Sequence, residues 1–213
     1  MKNKNIKYYT GSRKDILNVI PKNIKNLLSI GCGAGVTEKI LEEQDIKVIG
    51  VELNKNIAEK AKKNISKVFV GDIEKINLPF KKRFDCILYA DSLEHLVDAK
   101  NNLIITKKYL RNNGFLIISF PNVRFWYTFY MLFFKKDWIY SERGIFDSTH
   151  LKFFTLKSMK RLLNEVGYNI IVIKRNYRLS ELPKKYNGIA KFLAIFPFKD
   201  LLTHQFIIVA KRI

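Results

Sequence analysis

The sequence predicts an α/β fold in which a mostly parallel sheet is covered by helices on both faces and carries an antiparallel terminal strand. Short, nearly continuous apolar runs alternate with helix-like stretches along the first two thirds of the chain, as is typical of parallel strands buried on both faces. A glycine-rich turn, residues 31–35, directly follows the first of these runs. The last third contains two further β-rich runs, which favour an added antiparallel edge strand.

The individual elements follow from these patterns in chain order. Seven apolar or β-rich runs are predicted strands, at residues 26–30, 47–53, 67–70, 85–90, 115–120, 168–173 and 205–211. Four stretches with helical character are predicted helices, at residues 36–43, 56–65, 97–110 and 155–166. In the last of these we expect Thr155 to be the N-cap and Gly167 to end the helix.

The length and composition indicate one folded domain. The chain has 213 residues, of which 47% are hydrophobic and 27% charged, and this balance argues against global disorder. We therefore expect a single domain over residues 1–213. Aromatic-rich stretches near residues 121–150 and 178–203 interrupt the strand–helix alternation, and we interpret them as lid or substrate-binding insertions.

Cysteine usage and apolar runs bear on the compartment. Two cysteines, Cys32 and Cys86, do not make a disulfide scaffold in a chain of this length, which favours a reducing environment. The N-terminus lacks the apolar core of a secretory signal, and no uninterrupted apolar run reaches the ~18 residues that span a bilayer. We expect a cytoplasmic protein.

The formal net charge of +20 is the unusual bulk property. One interpretation is attraction to an anionic partner, such as nucleic acid, an acidic membrane surface or a phosphorylated substrate. The other is a composition that is rich in lysine throughout. We favour the second interpretation because the lysines are scattered over the whole chain and form no single block.

Three features at successive predicted strand ends indicate a ligand site. Gly31, Gly33 and Gly35 follow the first strand, where glycine permits a tight turn and a close approach of backbone to ligand. Glu52 ends the second strand, where an acid accepts hydrogen bonds from ribose hydroxyls in nucleotide-type sites, and Asp72 follows the third. The Gly-x-Gly-x-Gly spacing differs from the Gly-x-Gly-x-x-Gly pattern of nicotinamide-binding proteins.

With these residues the sequence resembles the class I S-adenosylmethionine (SAM)-dependent methyltransferases. The resemblance rests on Leu27 to Gly35, Val48 to Glu52, Gly71 to Ile73 and Phe84 to Leu88. It implies a Rossmann-like sheet of seven strands with SAM as cofactor. Ser29 stands where the family often has aspartate, which weakens one expected contact near the methionyl amine.

The resemblance also implies which residues bind SAM. The three glycines would flank its methionine part, and Glu52 would hold the ribose. The other expected pocket residues are Leu53 beside Glu52, Asp72 and Ile73 at the adenine, and Ala90 and Asp91 after the fourth strand.

Two histidines at the same predicted sheet edge are candidates for catalysis. In one interpretation His150 or His95 is a general base for an acceptor hydroxyl, a role that imidazole suits. Alternatively, Asp91, Glu94, His95 and His150 bind a divalent metal ion that orients and acidifies the hydroxyl. A third interpretation makes Glu94 and His95 the start of a helix and His150 a loop residue.

The metal interpretation draws on a second resemblance. Asp91 to His95 resembles the Glu-x-x-Glu-His signature of ubiquinone-pathway O-methyltransferases, with Asp91 in place of the first glutamate. The segment is also similar to small-RNA 2′-O-methyltransferases, which add a later histidine that His150 matches. At helical spacing, Asp91 and Glu94 would lie on one face.

The first aromatic insertion bears on the acceptor and on partners. Residues 121–126 and 147–150 resemble small methyltransferases of cell-surface polysaccharide assembly, which implies a glycan-linked acceptor. Its aromatic residues either stack on sugars or pack as a core, namely Trp126, Tyr127, Tyr130 and Trp138. The apolar stretches 125–134 and 190–198 lie beside lysines and are either acidic-membrane contacts or lid helices. We favour lid helices because neither stretch shows a clear polar face.

The function predicted from these features is SAM-dependent methyl transfer, with O-methylation of a small-molecule or glycan-related acceptor. One alternative is a non-catalytic binding or partner protein that keeps the fold. Another is an RNA 2′-O-methyltransferase, which the net charge and His150 favour but the scattered lysines do not.

Overall fold

A computed structural model describes residues 11–178 and 198–213 and contains one seven-stranded sheet with helices on both faces. The strands are β1 (Asn26–Ile30), β2 (Lys47–Glu52), β3 (Lys67–Val70), β4 (Phe84–Ala90), β5 (Leu110–Pro121), β6 (Tyr168–Tyr177) and β7 (Thr203–Arg212). The helices are α1 (Lys14–Leu17), α2 (Val36–Glu42), α3 (Lys55–Ala61), α4 (Ala99–Lys107), α5 (Trp126–Tyr130) and α6 (Leu156–Val166). This confirms the predicted fold class.

Strands β1 to β5 run parallel, in the spatial order β3-β2-β1-β4-β5. The register places Ile30 of β1 opposite Val51 of β2 and Tyr89 of β4, so the carboxyl ends of these strands share one edge of the sheet. The close packing of the Cys32 side chain on β2 depends on Gly50. A Cβ atom at Gly50 would lie 2.6 Å from Sγ of Cys32, which leaves no room for a larger residue.

The terminal strand is antiparallel, as expected, but it does not form the edge of the sheet. β7 pairs antiparallel with both β5 and β6, and β6 is the outer strand. The reason is burial: β7 contains the apolar run 206–210, which is buried throughout, whereas Ile171 and Val172 of β6 are exposed. The prediction of an added edge strand therefore applies to β6.

Apolar side chains cover both faces of the sheet. On one face, α4 and α6 pack through Leu103 and Leu163, and on the other face α1 and α2 pack through Ile16 and Leu41. Each of these four side chains is fully buried. Burial of each such side chain contributes roughly 1.5–3 kcal/mol to the free energy of unfolding. The helices are thereby held against the sheet whose edge carries the candidate site.

Helix ends follow local capping signals. Thr155 caps α6 by accepting a hydrogen bond from the Ser158 backbone N–H at 3.1 Å, and Gly167 ends the helix with φ 79°, as predicted. The helix predicted at 97–110 is shorter. It begins after its N-cap Asp98 and ends at Lys107, because the chain enters β5 at Leu110.

The first aromatic insertion contains α5, followed by a turn of π-helix, Met131–Lys135. Phe125 and Met131 are buried, whereas Phe133 and Phe134 are exposed to solvent. Among the helices that the structure describes, none combines the length and apolar character needed to cross a membrane. The second predicted insertion falls mostly on residues 179–197, and the apolar stretch 190–198 and residues 1–10 likewise lie outside the described parts, apart from the backbone of residue 198.

Candidate active site

The glycine turn connects β1 to α2 at the carboxyl edge of the sheet. Gly31, Gly33 and Gly35 have φ values of 71°, 56° and 73°, a left-handed region that side chains disfavour. The Gly31 N–H donates to the carbonyl oxygen of Val51 at 2.8 Å, which draws the turn over the end of β2. A Cβ atom at Gly31 would lie 2.8 Å from Cβ of Ser92, and one at Gly35 would lie 3.4 Å from Cα of Ala61, so glycine at these positions lets the turn pack closely at the ends of β1 and β2.

Glu52 stands at the end of β2, where it supports the glycine turn. Its Oε2 accepts a hydrogen bond from the Gly33 N–H at 3.0 Å, and its Oε1 accepts one from the Asn54 N–H at 2.9 Å. The side chain is buried, and this burial raises the pKa of Glu52 although the backbone N–H groups oppose the rise. Each carboxylate oxygen keeps a further lone pair, so the group retains acceptor capacity toward hydroxyls.

The other expected cofactor contacts differ in their surroundings. Oδ1 of Asp72 accepts a hydrogen bond from the Glu74 N–H at 3.0 Å, which fixes the turn after β3. Leu53 is about half exposed, whereas the side chain of Ile73 packs in the core. Ala90 is partly buried at the end of β4.

Ser29 has a buried acidic partner that the sequence analysis missed. The Ser29 hydroxyl donates to Oε1 of Glu38 at 2.7 Å, and both residues are buried. Glu38 lies in the first turn of α2, beside the glycine turn. A carboxyl group is therefore present next to the position where the family often has aspartate, but it comes from the helix. Its spacing of nine residues from Ser29 was the only sequence signal.

Glu38 makes a testable contribution to stability. Burial raises the pKa of Glu38 from 4.5 to about 6, so the folded protein binds this proton more tightly than the unfolded chain. Its stabilising contribution is complete below pH 4.5 and is lost as the pH rises through about 6. Relative to Glu38→Gln, the wild type should lose about 2 kcal/mol of unfolding free energy between about pH 4 and pH 7.

Urea unfolding at several pH values measures this difference. Glu43→Gln, at an exposed position just after the same helix, is the matched control and should show no such change. A wild-type-minus-E38Q difference that stays constant across the pH range would contradict the role of Glu38.

Asp91 is held in a separate network at the tip of β4. Its carboxylate accepts hydrogen bonds from Arg13, from the Ser119 hydroxyl at 2.8 Å and from Nε2 of Gln205 at 2.7 Å. These partners join the N-terminal segment, β5 and β7. Asp91 has φ 53° and lies outside the short 3₁₀ turn Leu93–His95, so it does not share a helix face with Glu94 as the helical spacing predicted.

Three of the four candidate metal ligands lie together. Glu94, His95 and His150 offer ligand atoms that all lie within 4.8 Å of one another. Glu94 is only 1% exposed, and neither of its carboxylate oxygens has a hydrogen-bond partner. Nε2 of His150 lies 3.8 Å from Oε1 of Glu94. Burial raises the pKa of Glu94 well above its usual range, and the nearby carboxylate of Asp91 adds to this rise.

Backbone carbonyls orient both imidazole rings. Nδ1 of His95 lies 3.0 Å from the carbonyl oxygen of Thr149, and Nδ1 of His150 lies 3.3 Å from that of Ile145. A proton on Nδ1 that is donated to a carbonyl places the lone pair on Nε2, the arrangement of many metal-binding and basic histidines. The two rings are 4.8 Å apart between centroids.

Asp147 supports this arrangement and had been given no role from the sequence. It is fully buried, and its Oδ1 accepts hydrogen bonds from the Thr149 N–H at 2.9 Å and from the Thr149 hydroxyl at 2.7 Å. The backbone N–H groups of Leu151 and Lys152 donate to the carbonyl oxygen of Glu94 at 2.9 and 3.0 Å. The loop carrying His150 is thereby tied to the turn carrying Glu94.

The aromatic residues of the insertion pack mainly on one another. Trp126, Tyr127, Tyr130 and Trp138 are partly buried around Phe125, Met131, Ile145 and Phe146. The ring of Trp138 lies 5.2 Å from that of Phe153, which lies 6.5 Å from the His150 ring. The observed contacts of these aromatic residues are therefore those of side chains that pack as a core. Phe153 connects this cluster to His150.

Comparison with known proteins agrees with this geometry. Residues 6–173 match the family model described as a methyltransferase domain. The chain is 34% identical over 105 residues to a ubiquinone biosynthesis O-methyltransferase of Pelagibacter ubique, covering 47% of this chain and 43% of the relative. It is 24% identical over 165 residues to a protein of the same name from Bartonella quintana, covering 74% of this chain and 66% of that relative.

Solved structures show the same fold. A SAM-dependent methyltransferase from Archaeoglobus fulgidus superposes with a TM-score of 0.68 at 20% identity, covering 97% of both chains. A SAM-dependent methyltransferase from Thermotoga maritima, described as a possible histamine N-methyltransferase, gives a TM-score of 0.67 at 21% identity, covering 93% of this chain and 86% of the other. With a family model matched over most of its length and these structural relatives, the chain belongs to the methyltransferase-domain family.

Proposed function

We propose that this protein transfers the methyl group of SAM to a hydroxyl group of a small-molecule acceptor. The observation that carries the proposal is the Glu94–His95–His150 cluster, which lies at the same sheet edge as the glycine turn and Glu52. The names of the Pelagibacter and Bartonella relatives support oxygen as the methylated atom. This chain spans less than two thirds of those relatives' lengths, so the acceptor has to be established on the protein itself.

The residues at the ends of β1, β2 and β3 fit SAM. The glycine turn stands at the strand end where glycine-rich turns approach the cofactor, Glu52 offers carboxylate oxygens for the ribose hydroxyls, and Asp72 lies at the next strand end for the adenine. SAM supplies an electrophilic methyl group on its sulfonium sulfur. The protein's contribution is to hold that methyl group in line with the acceptor oxygen, which removes much of the entropic barrier.

For the acceptor hydroxyl, we propose that Nε2 of His150 or of His95 takes the proton. The carbonyl contacts at Nδ1 favour the tautomer in which Nε2 accepts. Oε1 of Glu94 lies 3.8 Å from Nε2 of His150, so Glu94 in its ionised form stabilises the imidazolium that forms. Each step uses groups that the loop 145–152 and the turn 93–95 hold in fixed positions.

The same cluster fits a divalent metal ion. One carboxylate and two imidazoles form a suitable donor set, and the two unpartnered oxygens of buried Glu94 need a cation or a proton. Ligand atoms of one ion lie up to about 4 Å apart, so the observed 4.8 Å requires only small side-chain rotations. A bound ion would orient the acceptor oxygen and lower its pKa. We leave Asp91 out of this set, because its carboxylate accepts hydrogen bonds from Arg13 and Gln205.

Removal of metal distinguishes the two roles of the cluster. After dialysis against a chelator, methyl transfer should fall about a hundredfold or more if an ion orients the acceptor, and it should return when Mg²⁺ or Mn²⁺ is added. The measurement is the formation of S-adenosylhomocysteine (SAH) from SAM. Activity unaffected by chelation would exclude the metal role and leave His150 and His95 as bases.

An acceptor panel tests the proposal itself. Phenols and sugars supply hydroxyl groups, histamine-like amines supply nitrogen, and a short RNA supplies a 2′-hydroxyl. Turnover with phenols or sugars is expected, and turnover with amines alone would contradict O-methylation. RNA as the preferred acceptor would support the RNA alternative. Tight SAM binding without turnover on any acceptor would instead favour a non-catalytic protein with this fold.

A further inference from the structure

Four large apolar side chains on the first insertion are exposed to solvent. Phe129, Leu132, Phe133 and Phe134 are 48%, 49%, 78% and 76% exposed, and we refer to them as the phenylalanine face. Phe129, Leu132 and Phe133 lie at positions i, i+3 and i+4, so they share one side of the helical segment. Single exposed apolar residues are common, but a contiguous group of this kind marks an interaction surface.

The opposite side of the same segment is anchored in the domain. Phe125, Thr128 and Met131 are buried, and the Trp126 N–H donates to the carbonyl oxygen of Leu201 at 2.8 Å. The ring centroid of Tyr130 lies 5.9 Å from that of Phe134, so the two rings are in contact. The buried side of the segment therefore fixes its orientation, with the phenylalanine face toward solvent.

Positive charge lies directly beside the apolar side chains. Lys135 and Lys136 follow Phe134 and are exposed, and the whole chain carries a net charge of +20. Ile139 and Tyr140, which follow a few residues later in the chain, are also exposed, at 58% and 61%. Aromatic side chains next to lysines are the combination that inserts into the headgroup boundary of an anionic bilayer.

We propose that the phenylalanine face, with Lys135 and Lys136, docks this protein on an anionic membrane surface. The area favours a membrane over a protein partner. With ~200 Å² for a phenylalanine side chain, the four side chains expose on the order of 500 Å², less than the ~800 Å² per partner of a stable protein interface. A bilayer accepts a small apolar insertion of this kind when charge adds to its affinity. The inference concerns the surface and is independent of the acceptor.

Vesicle flotation with the full chain tests this docking. The wild type should float with vesicles of phosphatidylcholine and phosphatidylglycerol at low salt, bind pure phosphatidylcholine vesicles weakly, and lose binding as salt increases. Phe133→Ser/Phe134→Ser should lower the partition coefficient at least about tenfold, because two apolar side chains no longer insert. Lys135→Gln/Lys136→Gln should lower it about twentyfold on the anionic vesicles alone.

The matched control is Ile104→Ser/Ile171→Ser, which removes two exposed apolar side chains from α4 and β6 and should float like the wild type. A second readout is Phe133→Trp, whose added fluorescence should shift to shorter wavelength with anionic vesicles. Wild type that does not float, or F133S/F134S that floats equally well, would overturn the proposal. It would also fail if F133S/F134S dissociated a wild-type dimer that does not bind vesicles, since the face would then join two copies.

Discussion

Replacing Glu52 with alanine is expected to weaken SAM binding about a hundredfold. Glu52 is the only carboxylate that contacts the glycine turn, through the Gly33 N–H at 3.0 Å, among the hydrogen bonds of the described residues. Two hydrogen bonds from ribose hydroxyls to a buried carboxylate are worth about 1.5 kcal/mol each, which together correspond to a factor of about a hundred. The variant also leaves the Gly33 N–H without its partner, which adds to the loss.

Isothermal titration with SAM and with SAH measures this effect. Glu52→Gln keeps the shape and one acceptor oxygen, so its affinity should lie between those of the wild type and E52A. Glu59→Ala, an exposed position on α3, is the matched control and should bind like the wild type. Unchanged affinity of E52A, with the variant folded as judged by urea unfolding, would refute the assignment of the ribose to Glu52.

The second large effect is expected from the Glu94–His95–His150 cluster. Glu94→Gln and His150→Ala should each lower kcat by about a thousandfold while SAM affinity stays within about twofold, because both residues belong to the cluster proposed to act on the acceptor. Glu94→Gln keeps the shape of the side chain and removes its ability to ionise. Since the buried carboxylate has no hydrogen-bond partner, its neutralisation should leave the unfolding free energy unchanged or raised.

Measuring kcat together with the free energy of unfolding distinguishes a catalytic role of Glu94 from a structural one. A purely structural role of Glu94 would lower stability and activity together, whereas the proposed role lowers activity alone. Glu165→Gln, an exposed acidic position on α6, should alter neither quantity. Full activity of both E94Q and H150A would remove the cluster from the reaction.

The parallel part of the fold could be predicted from the sequence because its signals are local. Apolar runs such as 26–30 and 67–70 coincide with β1 and β3, and the glycine turn after β1 identified the strand whose end opens the crevice. Capping by Thr155 and Gly167 could also be predicted, since these residues lie directly at the two ends of the helix. Strands β5 and β6 have no such signal at their ends. They extend beyond their predicted limits because their pairing with β7 continues past those limits.

What the sequence did not predict depends on distant contacts. The insertion of β7 between β5 and β6 joins strands that are separated in the chain, and no local pattern specifies it. The same holds for Asp91, which is bound by Arg13 and Gln205 from opposite ends of the chain. Proximity of His95 to His150 was expected from their common sheet edge, but the burial of Glu94 beside them depends on the packing of the loop that carries His150.

A crystal structure of the protein with SAH bound tests the proposed site most directly. We predict ribose hydroxyls against the carboxylate of Glu52, adenine beside Asp72, and the sulfur atom directed toward the Glu94–His95–His150 cluster. Product bound in another crevice, or with its ribose away from Glu52, would contradict the proposed arrangement of cofactor and acceptor.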